Sequence, residues 1–245
     1  MDSNSPTRGF ICVSIPLENM NTISDKIIKA KEQGAEIVEI RLDYFPKILE
    51  TDPLTLKPLL ECCDIPIIFT LRSASEGGKN SLKEAVRIEY IKSLIELKPQ
   101  YIDLEARLPP DILKTLYRLA IQNSVKVIYS SHDFERTPNI VNAQTLIYQI
   151  IKKCEGLEEE NNPNAIIKVV FTAKGGQDNL VAVQLVRWLR RMDRNIICFC
   201  MGEKGVYSRL ESLKAGAYLT FASMDKATAP GQLNINDLKK DLGIF

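Results

Sequence analysis

The chain has 245 residues, enough for one large domain that buries most of the apolar surface it exposes unfolded. Its 32 lysines and arginines stand against 31 aspartates and glutamates, a formal charge of +1, so no long-range field gathers nucleic acid or an anionic membrane surface. An anionic ligand has to be held by local charges.

The opening MDSNSPTRGF lacks the basic start and apolar run of a signal peptide, and no segment carries about eighteen apolar residues in succession. The expectation is a soluble, cytoplasmic protein. Six cysteines (Cys12, Cys62, Cys63, Cys154, Cys198, Cys200) form no CxxC pair, and one histidine, His132, is too few for an ordinary zinc site. Reduced thiols, buried in the apolar runs around Cys12, Cys198 and Cys200, are expected, with no metal.

In chain order, FICVSIP (10–16) reads as a first strand. TISDKIIKAKEQG (22–34) follows as a helix, with Ile23, Ile27 and Ala30 at helical spacing and Gly34 as its stop. Strand-like AEIVEIRLDYF (35–45) and PIIFTLRS (66–73) precede SLKEAVRIEYIKSLIELKP (81–99), a helix with Ser81 and Glu84 in capping-box spacing that ends before Pro99. YIDLEARL (101–108) and KVIYSSHDF (126–134) are the next strands. The acidic, proline-broken CEGLEEENNPNA (154–165) reads as a solvated connection. AIIKVVFTA (165–173), the helix NLVAVQLVRWLRRM (179–192), NIICFCM (195–201), the helix VYSRLESLKAG (206–216) and AYLTFAS (217–223) complete the chain's alternation. Eight strands separated by helices imply parallel pairing through right-handed crossovers. The expected architecture is a single (β/α)8 TIM barrel spanning residues 1–245, with an open doubly wound sheet as the alternative.

Strands covered on both faces should be continuously apolar, and several of these are not. Glu39, Arg41 and Asp43 alternate with Val38, Ile40 and Leu42; Arg72 follows FTL; Asp103 and Glu105 alternate in YIDLEARL; Lys168 interrupts AIIKVVFTA. A single strand of this kind could be a wet edge. Several of them in one barrel aim charge at a shared interior, whose ligand end lies at the strands' C-termini, where Glu39, Arg41, Arg72, His132, Lys168 and Arg209 also fall. Lys168 fits either a snorkelling or paired lysine or an amine, destabilised as an ammonium by burial and nearby arginines, that attacks a carbonyl. His132 fits either a hydrogen-bonded strand end or a proton shuttle for that amine's chemistry.

Taken together, EIRLDYF (39–45), FTLRSASEGG (69–78), SSHDF with TP (130–134, 137–138), IIKVVFTA (166–173), MGEKGVYSR (201–209) and FASMDKATAPGQL (221–233) resemble the type I 3-dehydroquinate dehydratase family, in the family's order. The resemblance implies a barrel that usually forms a homodimer and converts 3-dehydroquinate into 3-dehydroshikimate and water in the shikimate pathway. It uses a covalent imine and neither cofactor nor metal. By position it implies Lys168 as the imine-forming amine, His132 as general acid/base and Glu76 as the carboxylate that orients and tunes the histidine. Arg209 matches the arginine for the substrate carboxylate. Glu39, Arg41 and Arg72 match residues around the ring hydroxyls, as Ser14 does more weakly, and Thr228 and Gln232 match a closing loop. Met201 and Phe221 fit apolar walls. Thr228 stands where serine is frequent, and Ser131 replaces a tyrosine common before the histidine. A class I aldolase on the same scaffold and a barrel that merely carries a hydroxy acid are the competing functions.

Overall fold

Sheet order decides between the two expected architectures. In the computed structural model, which describes residues 9–155, 165–225 and 227–244, the strands are β1 (Phe10–Pro16), β2 (Ile37–Arg41), β3 (Ile67–Thr70), β4 (Tyr101–Glu105), β5 (Lys126–His132), β6 (Ile166–Thr172), β7 (Asn195–Met201) and β8 (Leu219–Ala222). They form one sheet in the order β7-β6-β5-β4-β3-β2-β1-β8, all neighbours parallel. The last seam, between β7 and β8, is bridged where the Tyr218 N–H donates to the Ile196 carbonyl at 2.7 Å. The sheet therefore curls into a nearly closed (β/α)8 barrel. Around it run α1 (Ile23–Glu32), α2 (Lys57–Glu61), α3 (Glu84–Glu96), α4 (Pro110–Gln122), α5 (Ile140–Glu155), α6 (Gly176–Arg190), α7 (Val206–Lys214) and α8 (Ile235–Asp241).

Two apolar layers hold this shell. Outward strand residues such as Val13, Val38, Ile40 and Leu104 pack against the helices, whose inward stripes include Ile27, Leu94, Leu116 and Leu185. Inside the barrel the two-residue period builds a layered column. Cys12, Ile37, Ile68, Ile128, Ile166 and Ile197 form an apolar floor. Two residues further along, the same strands present Ser14, Glu39, Thr70, Ser130 and Lys168, all buried. Another two bring Arg41, Arg72 and His132 to the mouth. Along β2 and β5, and through β3 into Arg72, the interior thus grades from hydrocarbon to charge, while β7 and β8 stay apolar with Phe199, Met201 and Phe221, and the site is a property of register.

Two local expectations are corrected. The charged strand 35–45 stops at Arg41 and turns into a 3-10 turn, Leu42–Tyr44, because Asp43 folds back to take both Nε and Nη2 of Arg41, at 2.8 and 2.9 Å. Ser81 does not cap α3: Lys83 occupies the cap, and the Glu84 carboxylate is claimed by buried Arg87 at 2.8 and 2.9 Å. Cys62 and Cys63 are half-buried, whereas Cys12, Cys198 and Cys200 are buried, all five as free thiols. The Cys154 side chain, the first eight residues and most of the acidic 154–165 connection lie outside the described residues. Gly34 and Gly216 do end α1 and α7, with φ of +96° and +100°, the left-handed conformation that closes a helix.

Candidate active site

β6 carries Lys168 into the polar layer, where burial makes its partners decisive. Its Nζ lies 3.0 Å from Asp103 Oδ2 and 3.6 Å from Glu39 Oε1, with the Phe221 ring centroid 4.5 Å away. Carboxylates, rather than the expected arginines, are thus its nearest charges. Both acids are also held by other donors. Asp103 accepts from Arg72 Nη2 at 2.9 Å and Ser130 Oγ at 2.5 Å; Glu39 accepts from Ser14 Oγ at 2.5 Å and Thr70 Oγ1 at 2.9 Å. Burial pushes the Asp103 carboxyl up, but Arg72, Lys168 and the Ser130 hydroxyl outweigh it and hold the group well below the usual carboxylate range. Lys168 is held between two fixed carboxylates at the bottom of the mouth.

One strand away, His132 Nδ1 lies 2.8 Å from Glu76 Oε2. Glu76 sits on a 3-10 turn (Ala74–Glu76) that Gly77 ends at φ +82°. Burial lowers the imidazole's proton affinity well below its ordinary value, and repulsion from Arg72 and Lys168 lowers it further against the pull of Asp103. Burial pushes the Glu76 carboxyl up to about 7, Glu105 and Asp103 adding to the rise while Arg72 and Arg107 oppose it. At neutral pH the histidine is therefore an uncharged base. When Nδ1–H donates to Glu76, Nε2 is left to exchange protons. Ser131, in the place of the family's common tyrosine, belongs to the opposite face of β5 by the strand's period, so it does not hold the ring.

The arginines at the mouth divide by whether they have a counter-charge. Arg41 is bound by Asp43, and Arg72 by Asp103, with Glu105 at 3.4 Å and Glu76 at 3.7 Å. Arg209, on the first turn of α7, is 1% exposed and pairs with no carboxylate among the described residues. Its Nη2 donates to the Pro230 carbonyl at 3.2 Å, its Nε has no hydrogen-bond partner, and its guanidinium carbon stacks 4.3 Å from the Phe199 centroid. Burial drops its pKa to about 10. A desolvated guanidinium with unused donors is the chemical complement of a carboxylate.

These groups open on one cavity of about 300 Å³, which also touches Met201 and Phe221. The segment after β8 covers one side. Thr228 N–H donates to Gln232 Oε1 at 2.7 Å and Thr228 Oγ1 to Ser14 Oγ at 2.9 Å, while Gln232 Nε2 donates to the Ala222 carbonyl at 3.0 Å. Gly231, at φ +71°, lets this turn approach the Gly202 carbonyl, which a Cβ would meet at 2.2 Å. All ten residues singled out in the sequence as site candidates line this cavity: Lys168, His132 and Glu76 together with Ser14, Glu39, Arg41, Arg72, Arg209, Thr228 and Gln232. Asp103 and Ser130 were not among them, although they anchor Lys168 and Arg72. Their signal was register, for Ser130 stands two residues before His132, and Asp103 pairs across the strands one step below Glu105. Among the described residues no cluster of three or more His, Cys, Asp or Glu side chains could hold a metal ion, and no helix is long and apolar enough to cross a membrane.

Known proteins share both sequence and architecture with this chain. The family model described as type I 3-dehydroquinase matches residues 11–245. A 3-dehydroquinate dehydratase of Thermococcus gammatolerans is 34% identical over 216 residues, covering 88% of this chain and 91% of its own. The crystal structure of the Geobacillus kaustophilus 3-dehydroquinate dehydratase superposes with a TM-score of 0.85 at 27% identity, over 97% of this chain and 91% of that one. The Clostridium difficile type I enzyme, described with covalently modified comenic acid, gives 0.83 at 26% identity, over 97% and 92%. Motif order, barrel register and these likenesses agree, and the chain belongs to the type I 3-dehydroquinase family.

Proposed function

We propose that the barrel dehydrates 3-dehydroquinate through an imine on Lys168, with His132 moving the protons. The observation that carries this reading is that an amine, an uncharged imidazole and an unpaired guanidinium open on one cavity of about 300 Å³. Arg209 takes the substrate carboxylate in a bidentate grip. Glu39, Arg41 and Arg72, with the Ser14 hydroxyl, receive the ring hydroxyls.

The chemistry balances without an added reagent. Lys168 adds to the ketone and water leaves, giving a protonated imine that draws electrons from the adjacent C–H bond. His132 removes that proton to form an enamine. As the enamine electrons return, the β-hydroxyl departs with a proton from the imidazolium. Hydrolysis of the conjugated imine frees the amine and 3-dehydroshikimate, so the net change is loss of one water. Glu76 orients the ring at Nδ1 and steadies its charged form, while Thr228 and Gln232 close the pocket. The same resemblance carries a homodimer, a cytoplasmic setting and a reaction free of cofactor and metal; sedimentation tests the dimer.

Incubation with 3-dehydroquinate should raise the absorbance of a conjugated enone. His132→Ala should lose nearly all turnover yet still form imine. Wild-type protein that makes no enone, or cleaves a carbon–carbon bond as an aldolase would, overturns the reading. Undiminished turnover in the variant refutes the shuttle.

A further inference from the structure

We propose that Phe134 is the positioning residue of the His132–Glu76 pair: its ring covers the imidazole and fixes the backbone beside Glu76, keeping both groups in one plane and shielded from water. This deepens the proposed reaction and rests on it for the catalytic readout alone.

The observations come from two sides of the ring. Phe134 follows His132 by two residues, just past the end of β5. Its ring stacks on the imidazole with centroids 6.2 Å apart and planes 26° from parallel, within the range of offset aromatic pairs. The tip of the same ring lies over Gly77, where a Cβ would come within 2.5 Å of Cζ. Gly77 follows Glu76 directly, and its φ of +82° ends the turn that presents the carboxylate. One side chain thus touches the base and the hinge of the carboxylate that orients it.

Burial of the ring itself does not account for its place. Phe134 is 47% exposed at the rim of the cavity, so one face of the ring meets the imidazole and the rest meets solvent. Glu76 fixes one nitrogen of His132 but leaves rotation about that hydrogen bond open, and Ser131 faces the other side of the strand. A ring stacked on the imidazole restrains that rotation.

The test uses a property of the sequence: His132 is the sole histidine in 245 residues, so its NMR titration needs no assignment and no substrate. Charged neighbours on every packed element bear on that titration, namely Arg41 on β2, Arg72 and Glu76 after β3, Asp103 on β4 and Lys168 on β6. Glu105 and Arg107 act through Glu76. None is altered by changing Phe134. With Phe134→Ala, water reaches the pair and the imidazole's midpoint should rise by about one unit. The kcat should fall about tenfold with KM within about threefold, the mark of a misaligned base. Phe134→Leu, which keeps bulk without a flat face, should resemble Phe134→Ala, and Phe134→Tyr should restore both values. An unchanged midpoint in Phe134→Ala and Phe134→Leu overturns the proposal, whatever happens to kcat. A shifted midpoint that Phe134→Tyr fails to restore overturns it as well. Absence of enone from the wild type would sink the proposed reaction instead, while the titration would still decide the role of Phe134.

Discussion

Asp103→Asn isolates the electrostatic centre of the site, because asparagine keeps the shape and removes the charge. In the folded protein Asp103 faces Arg72 Nη2 at 2.9 Å, Lys168 Nζ at 3.0 Å and Ser130 Oγ at 2.5 Å, all buried. Removing one member of a buried ion pair typically costs about 3–5 kcal/mol, since the surviving charge stays desolvated. Here both cations keep a longer contact, Arg72 with Glu105 at 3.4 Å and Lys168 with Glu39 at 3.6 Å, which places the expected loss near the lower end, about 3 kcal/mol. For a chain of this size that corresponds to a Tm about 6–12 °C lower. The folded-state pKa of Asp103 is depressed, so its contribution is complete above the unfolded value of about 3.9 and is lost as pH falls toward the folded one. The melting difference should therefore be full at pH 7. Loosened Lys168 should also reduce kcat by about 100-fold. Thermal melts and enone absorbance measure both effects. A Tm within about 2 °C of wild type, with kcat unchanged, would refute the claim that Asp103 anchors the lysine.

Glu76→Gln should uncover a pH dependence that the native pair hides. As pH falls below about 6.5, and until it reaches the depressed imidazole value or the ordinary glutamate one of about 4.5, the unfolded chain carries a proton on the histidine and the folded one on Glu76, so the two linkages cancel and stability stays nearly flat. In the variant only the depressed imidazole remains; stability should fall as pH drops below about 6.5, by up to about 1.4 kcal/mol per pH unit. Urea midpoints across that window check this, and a flat profile in the variant contradicts it. Arg209→Met should abolish saturable binding of substrate yet stabilise the unliganded fold by about 2 kcal/mol, because an unpaired buried guanidinium is replaced by hydrocarbon of similar length. A lower Tm would show that Arg209 is not electrostatically strained.

The barrel was legible because its punctuation is local. Gly34 and Gly216 stop helices where the chain needs a left-handed residue, and the eight apolar runs match eight strands. Strand ends were overextended where a charge found a partner nearby: Asp43 turned back to Arg41, and Arg72 lies beyond β3. The site was legible as charge at the wrong period, and motif resemblance sorted those charges into roles. What local pattern does not carry is pairing across the barrel. Asp103 meets Lys168 across 65 positions of sequence, and sequence reading placed arginines there. SSHDF includes Phe134, but its role was not legible for a related reason, since Gly77 lies in the loop after β3 and meets the ring only in the folded barrel. Glu84 shows the converse: its spacing from Ser81 fits a cap, but a tertiary partner, buried Arg87, took its carboxylate.

The central claim is that Lys168 becomes covalently bound to substrate. Borohydride added during turnover of 3-dehydroquinate should reduce the imine to a stable amine, irreversibly inactivating the protein, and peptide mass spectrometry should place the added mass on Lys168 alone. The Lys168→Ala protein should gain no mass and form no enone. Full turnover with no trapped adduct, or an adduct on any other of the chain's lysines, would contradict the account.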